Sequence, residues 1–319
     1  MTKLDSARIN EFDRRLRELV NVKVPDVPLE ADVQSEEKLD GLTRRLVRYN
    51  VDRGERIGAY LLTPDSTGEK LPAILAIHQH GGEFSIGKSE PAGFSANKTF
   101  HYGLDLCRRG YVVLCPDQLA FEERRPPEWK RAEGTAPDGC WYERFEATRL
   151  LLEGSSLQAK YLADLTKGLD YLVSLDFVDS ERIGAAGHSL GGQEALWIAW
   201  FDLRIRACVS SCGFALLRAI ICNRINHNMA LYVPGFLKLG DVDLLAACIA
   251  PRGLFFSAGD QDVIFPIDSV RAIATSLRKV YAEHDCPEKL EYMEFSGGHG
   301  FPNHVKQRAY SFLDACLKG

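Results

Sequence analysis

The chain has 319 residues, of which 45% are hydrophobic and 26% are charged, and its formal net charge is −5. This composition is ordinary for a soluble globular protein with a sizeable core. The mild negative charge gives no sign of a clustered basic face, so we expect no nucleic-acid partner. No apolar run approaches the roughly 20 residues of a membrane span, so we expect no membrane partner.

Cysteine usage and the first residues bear on the compartment. The nine cysteines are an odd number, and the opening MTKLDSARINEF has neither an apolar stretch nor a small-residue cleavage site. Both features predict free thiols in a reducing compartment, the cytoplasm. Only Cys208 and Cys212 approach the spacing of zinc ligands, and no second pair completes a set, so we expect no structural metal.

Residues 1–40 are expected to pack on the main domain, residues 41–319. Ile9, Phe12 and Leu16 recur at helical spacing among charged residues, which predicts an amphipathic helix within residues 4–20. Residues 21–42 are polar and contain proline, as in a connector. The apolar stripe of the helix could instead serve a homodimer.

Short apolar runs then alternate with helical patterns. The turn signal Asp52-Arg53-Gly54 joins two predicted strands at 43–51 and 56–62. Further strands are predicted at 71–78, 111–115, 182–187, 205–211, 253–257 and 290–295, and helices at 157–175, 190–200, 269–283 and 305–317. Continuous apolar strands between helices are typical of an α/β fold with a mostly parallel, doubly wound sheet and helices on both faces.

Two insertions interrupt this alternation. Residues 119–150 are rich in charged and aromatic side chains, and residues 212–246 hold a loosely helical apolar segment. Insertions after strands of an open α/β sheet lie above the carboxyl ends, where ligands bind. We interpret both as cap-like pocket walls. Surface decoration or an oligomer interface is the alternative, and it stays open for residues 212–246 in particular.

The sharpest motif is Gly187-His188-Ser189-Leu190-Gly191, a G-x-S-x-G match between a predicted strand and a predicted helix. This context places a nucleophilic serine on a tight turn above the sheet. Ser189 is therefore the predicted nucleophile, and the N–H of Leu190 is the predicted donor to an oxyanion. A glycine-rich turn with an incidental serine is the alternative.

A serine nucleophile needs a base, and this strand-turn-helix context orders the partners as Ser, then Asp or Glu, then His. Asp260 and Asp262 follow the strand at 253–257, and spacing alone does not choose between them. His299 lies between two glycines after the last strand and is the predicted base. His304, at the start of the last helix, is the reserve candidate.

The loop after the first core strand reads Ile77-His-Gln-His-Gly-Gly82. A loop at this place supplies the second oxyanion donor, which we assign to the N–H of His80, with Gln79 next. The two histidines and Glu83 complete no familiar ligand set, so we expect neither a metal nor a cofactor.

Candidate pocket residues come from this loop and from the first insertion. Arg124 or Arg125 could meet a substrate carboxylate, since guanidinium suits that geometry; a solvated charged face is the alternative. The substrate-binding candidates are Gln79, Phe121, Glu122, Arg124, Trp141 and Tyr142.

Together these motifs resemble the α/β-hydrolase superfamily. The chain is similar to its dienelactone hydrolase-like branch, which grades into acetyl xylan esterase-like enzymes and the catalytic domains of prolyl oligopeptidases. The matching segments are DSERIGAAGHSLGG, IAPRGLFFSAGDQDVIFP, SGGHGF and IHQHGG. In these relatives the acid lies three residues after a loop glycine and four before a proline. Gly259 and Pro266 fit that pattern, so the resemblance selects Asp262.

The resemblance has departures. Dienelactone hydrolases use a cysteine nucleophile, whereas this chain has Ser189. No β-propeller precedes the hydrolase core, which disfavours a prolyl oligopeptidase itself. The resemblance implies a serine hydrolase that cleaves a carboxylic ester-type bond of a small molecule through an acyl-enzyme. An acyltransferase or C–C bond hydrolase with the same triad is the alternative, followed by a non-catalytic binding protein.

Overall fold

The computed structural model describes residues 4–65, 69–126 and 138–319. In this part of the chain, one sheet of nine strands carries helices on both faces. The strands are β1 (Asp32–Leu39), β2 (Leu42–Asp52), β3 (Glu55–Pro64), β4 (Leu71–Ile77), β5 (Val112–Pro116), β6 (Val178–His188), β7 (Ile205–Ser211), β8 (Gly253–Gly259) and β9 (Leu290–Phe295). The α-helices are α1 (Ser6–Val20), α2 (Tyr102–Arg108), α3 (Cys140–Leu152), α4 (Leu157–Val173), α5 (Leu190–Phe201), α6 (Leu217–Cys222), α7 (Phe236–Leu239), α8 (Val242–Ala247), α9 (Ile267–Glu283) and α10 (Asn303–Leu317). None of these helices is long and apolar enough to span a membrane.

The strand order is β1-β2-β3-β5-β4-β6-β7-β8-β9. The pairs β1–β2, β2–β3 and β3–β5 are antiparallel, and every pair from β5 to β9 is parallel. The parallel strands share one carboxyl edge, where the sequence motifs at His80, Ser189, Asp262 and His299 follow β4, β6, β8 and β9. This is the α/β-hydrolase fold, and it confirms the predicted fold class.

The centre of the sheet is covered on both faces. Every residue of β5 and of β8 is buried. In α5, residues 190–200 are all buried, so the helix has no polar face. Burial on both sides removes the need for alternating polar residues, which is why these strands appear in the sequence as continuous apolar runs.

The expected connector at 21–42 needs a correction, because it contains β1. This edge strand pairs with β2, and seven of its eight residues are exposed. Ion pairs such as Glu36–Arg45 and Glu37–Arg44 support the pairing. An exposed, polar strand has no apolar alternation for a sequence pattern to detect.

The N-terminal helix packs on its own chain. The Asp5 carboxylate caps it by accepting the N–H of Arg8, at 3.0 Å. Its stripe of Ile9, Phe12, Leu16 and Val20 is buried, and the Phe12 ring meets Phe236 edge-on, with 6.0 Å between ring centres. This stripe is therefore occupied within the molecule, and the homodimer stays a prediction.

Candidate active site

Ser189 lies on the turn that joins β6 to α5. Its φ is +56°, a left-handed conformation that costs free energy in any residue other than glycine. The backbone N–H of Ser189 donates to the carbonyl oxygen of Ser211, at 2.9 Å, which fastens the turn to β7. The surrounding sheet thus holds a strained serine at its carboxyl edge, as a nucleophile turn requires.

Close packing explains both glycines of the motif. A Cβ on Gly187 would lie 2.2 Å from the carbonyl carbon of Gly191, and a Cβ on Gly191 would lie 1.8 Å from the carbonyl oxygen of Ile77. Any larger residue would push α5 away from the sheet. The two glycines therefore let the helix begin directly above β4.

The structure places Asp262 against His299. The Nδ1 of His299 lies 2.7 Å from Oδ2 of Asp262. The other carboxylate oxygen accepts the N–H groups of Ile264 and Phe265, at 3.0 and 3.2 Å. These bonds fix a buried carboxylate whose second oxygen faces the imidazole.

Asp260 and His304 have other positions. Oδ1 of Asp260 accepts the N–H of Gly297, at 2.9 Å, and so shapes the loop that carries His299. His304 is exposed on the first turn of α10. The geometry therefore favours the Asp262–His299 pair over either reserve candidate.

His188 forms part of the surroundings of His299. The centres of the two rings are 4.8 Å apart. Burial, reinforced by His299, holds the pKa of His188 well below its usual range. A neutral His188 adds no positive charge beside the predicted base.

Ser189 and His299 open into one cavity of about 360 Å³. The remaining lining comes from the loop after β4, from α3, from the segment ending at Met229 and from the loop after β8, so both predicted insertions contribute to the wall. Those residues are His80, Gly81, Gly82, Cys140, Glu143, Arg144, Asn226, His227, Asn228, Met229 and Ile264.

The two predicted oxyanion donors border this site. Leu190 is the first residue of α5, so its N–H has no acceptor within the helix. His80 lies in the lining, followed by Gly81 and Gly82 at positive φ. The oxyanion roles of Leu190 and His80 stay predictions, and both positions are compatible with them.

The predicted substrate pocket needs a correction, because three of its polar members are engaged elsewhere. Arg124 pairs with Glu55 and Asp164, at 2.6 and 2.8 Å. Glu122 lies 2.7 Å from the buried Nζ of Lys88. The amide of Gln79 donates to Glu90, at 3.0 Å. Internal ion pairs and hydrogen bonds therefore occupy these groups outside the cavity lining.

The aromatic candidates also lie outside the lining. Phe121 is fully buried and stacks on Phe84, with 4.8 Å between ring centres. Tyr142 is half-buried against the same apolar cluster. Trp141 is 65% exposed. Residues 127–137 of the insertion fall outside the described residues.

Sequence reasoning missed Glu143, His227, Asn228 and Met229. Glu143 accepts the N–H of Met229, at 3.0 Å, which joins the two insertions across the cavity. Glu143 and Met229 lie 86 positions apart in the chain. Of the four missed residues, Glu143 alone had a signal in the sequence, as a neighbour of Trp141 and Tyr142.

Within the described residues, Cys212, Asp262 and His299 form the cluster with metal-ligand chemistry. The distance of 2.7 Å between His299 and Asp262 is that of a hydrogen bond, shorter than two tetrahedral zinc ligands allow. The Cys212 thiol donates to the carbonyl oxygen of Gly300, at 3.4 Å, and burial raises its pKa to about 12. These contacts fit a hydrogen-bonded pair beside a neutral thiol.

Comparison with known proteins agrees with this fold. Residues 155–319 match the model of the prolyl oligopeptidase family. The Bacillus subtilis (strain 168) protein YtaP, named as a hydrolase, is 30% identical over 285 residues, which span 88% of this chain and 90% of that protein.

Solved structures resemble the whole chain. The glucuronoyl esterase from Solibacter usitatus gives a TM-score of 0.72 at 18% identity and covers 97% of this chain and 92% of its own. The acetyl xylan esterase from Paenibacillus sp. R4 gives a TM-score of 0.65 at 18% identity, and the match covers 99% of this chain and 97% of the esterase. At these identities the likeness shows the fold alone. The family match and the YtaP relationship go further: this chain belongs to the prolyl oligopeptidase family of serine hydrolases.

Proposed function

We propose that the chain hydrolyses a carboxylic ester through an acyl-enzyme formed on Ser189. The observation that carries this proposal is the contact of 2.7 Å between His299 and the buried Asp262, at the edge of a cavity that Ser189 also lines. A serine hydroxyl becomes an effective nucleophile only beside such an oriented base.

In the proposed reaction, Ser189 attacks the acyl carbonyl while His299 takes its proton and then passes it to the leaving alcohol. Asp262 holds the imidazole in the productive tautomer and stabilises the imidazolium. The N–H groups of Leu190 and His80 donate to the oxyanion, each contributing roughly 3 kcal/mol in the transition state. Water, activated by His299, then releases the acid.

We propose a polar substrate with a short acyl group. The cavity wall carries imidazole, amide, carboxylate and guanidinium groups beside the apolar Met229 and Ile264, and these polar groups suit an alcohol with several hydroxyl groups. Two solved structures of this fold are named as esterases of acetyl xylan and of glucuronoyl groups, so acetylated or uronoylated sugars are the first compounds to test.

The deciding experiment measures hydrolysis of p-nitrophenyl acetate, butyrate and octanoate together with labelling by a fluorophosphonate, read by intact mass. The wild type should turn over acetate best and take up one label, and Ser189→Ala should lose both. Ser296→Ala, an exposed serine in the loop of His299, is the matched control and should retain both. Absence of label and turnover in the wild type would overturn the proposal.

The family match gives one specific reason to test a second activity, cleavage of a peptide bond after proline. Glycyl-prolyl-p-nitroanilide is the probe, and turnover faster than that of the acetate ester would replace the esterase proposal. Labelling without hydrolysis of either substrate would point to acyl transfer, which product analysis with an added alcohol would detect.

Location and assembly complete the proposal. We place the enzyme in the cytoplasm because nine cysteines are an odd number for a disulfide framework.

The proposed assembly is a homodimer, which solution scattering would test. The dimer interface would have to lie outside the apolar stripe of α1, because that stripe is buried within the molecule.

A further inference from the structure

Glu143 is a buried carboxylate in the wall of the cavity. It lies on the first turn of α3, and its side chain is 4% exposed. Oε1 accepts the N–H of Met229, at 3.0 Å, and Oε2 lies 3.3 Å from Nε2 of His80. One side chain thus joins three segments: α3, the second insertion and the loop after β4.

The proton on His80 can be located from its other nitrogen. The backbone N–H of Gly82 donates to Nδ1 of His80, at 3.1 Å. Nδ1 therefore accepts with its lone pair and carries no proton. A neutral imidazole with an unprotonated Nδ1 carries its proton on Nε2. The Nε2–H of His80 therefore donates to Glu143.

Two donors consequently converge on Glu143. A carboxylate accepts with both oxygens, so it satisfies the Met229 N–H and the His80 Nε2–H together. A glutamine of the same size has one accepting oxygen, and its NH₂ group would face one of the two donors. The site therefore requires a side chain with two accepting oxygens rather than a polar side chain in general.

We propose that Glu143 is a positioning residue for the oxyanion donor. By holding the His80 ring, it fixes the loop whose backbone N–H at His80 is assigned to the oxyanion. This inference rests on the proposed function. Glu143 acts through His80 and touches no reacting atom.

The first test compares Glu143→Gln with Glu146→Gln. Glu146 lies on the same helix, is similarly buried and pairs with Arg149 outside the cavity lining. We expect Glu143→Gln to lower kcat about 10- to 100-fold with KM changed less than about threefold, because an oxyanion donor acts mainly in the transition state. Glu146→Gln should retain kcat. Equal kcat in the two variants would overturn the inference.

A double-mutant cycle separates positioning from general stability. His80→Ala removes the ring and keeps the backbone N–H. If Glu143 acts through this ring, adding Glu143→Gln to His80→Ala should lower kcat less than twofold further. Full additivity of the two losses would contradict the inference, as would a fall in melting temperature that alone accounts for the lost activity.

A readout without turnover keeps this inference distinct from the proposed function. In wild-type protein with ¹⁵N-labelled histidine, His80 should show the Nε2–H tautomer. Glu143→Leu, which removes both accepting oxygens, should shift the population toward Nδ1–H. An unchanged tautomer in the variant would sink the inference even in an active enzyme. Conversely, the wild type could show neither fluorophosphonate labelling nor turnover while the Glu143 variant still shifts the tautomer. That result would overturn only the proposed esterase activity.

Discussion

At the scale of single residues, the acid of the triad offers a sharp prediction. In Asp262→Asn, the amide oxygen can still accept the N–H groups of Ile264 and Phe265, while the NH₂ group faces Nδ1 of His299. The imidazole then adopts the tautomer that cannot take a proton from Ser189. We expect kcat to fall by about 10⁴-fold with little loss of stability, measured on p-nitrophenyl acetate and by thermal unfolding.

Asp260→Asn is the matched control, because it changes the same chemical group two positions away. Its Oδ1 accepts only the N–H of Gly297 among the described contacts, and an asparagine oxygen can do the same. This variant should lose less than about tenfold in kcat. Equal losses in the two variants would contradict the assignment of Asp262.

The same pair shows what residue patterns can predict. Ser189 and His299 follow from glycine-flanked motifs at strand ends, because the turn itself demands those glycines. Asp260 and Asp262 occupy the same loop, so their roles depend on which carboxylate turns toward an imidazole 37 residues later. Local spacing alone does not contain that orientation, and the choice came from the resemblance to known hydrolases.

At the scale of elements, burial decides what could be predicted. β4, β5, β7 and β8 are largely buried and mostly apolar because helices cover both faces, whereas the edge strand β1 is exposed and polar. The insertions were placed near the site, yet their lining residues were missed. Glu143 faces the cavity and Trp141 does not, a difference set by how α3 docks on the loop after β4.

The N-terminal helix provides a prediction about stability. Phe12 is 3% exposed and packs against Phe236 and Gly240. Phe12→Ala should lower the free energy of unfolding by about 3–5 kcal/mol through lost burial and a cavity. Because α1 contributes no residue to the cavity lining, kcat and KM at low temperature should stay at wild-type values. Urea unfolding followed by circular dichroism measures the first effect.

Phe145→Ala is the control for this prediction, since Phe145 is 53% exposed on α3. Removing an exposed ring should change the free energy of unfolding by less than about 1 kcal/mol. A Phe12→Ala variant as stable as Phe145→Ala would mean that the N-terminal helix adds nothing to the folded state.

At the scale of the whole molecule, buried acids couple stability to pH. Glu194 lies inside α5 and is fully buried. Gln158 and Gln193 donate amide hydrogens to it, at 2.6 and 3.1 Å, and Asn228 of the cavity wall donates to Gln193, at 3.1 Å. No cation pairs with this carboxyl among the described residues. Burial therefore raises its pKa to about 8, well above its ordinary value of 4.5, despite the two amide donors.

The raised pKa fixes the sign of the pH dependence. Between pH 4.5 and about 8 the folded state keeps the Glu194 proton while the unfolded state loses it. The contribution of Glu194 to the free energy of unfolding should therefore fall as pH rises, by at most about 1.4 kcal/mol per pH unit.

Glu194→Gln removes this titration. Any change that it makes in hydrogen bonding is the same at every pH. The stability of the variant relative to wild type should therefore increase from pH 5 to pH 8 and level off above, in urea unfolding at each pH. Glu181→Gln, at an exposed carboxylate, should show a flat difference; a flat difference for Glu194→Gln as well would mean that Glu194 is ionised in the folded state across this range.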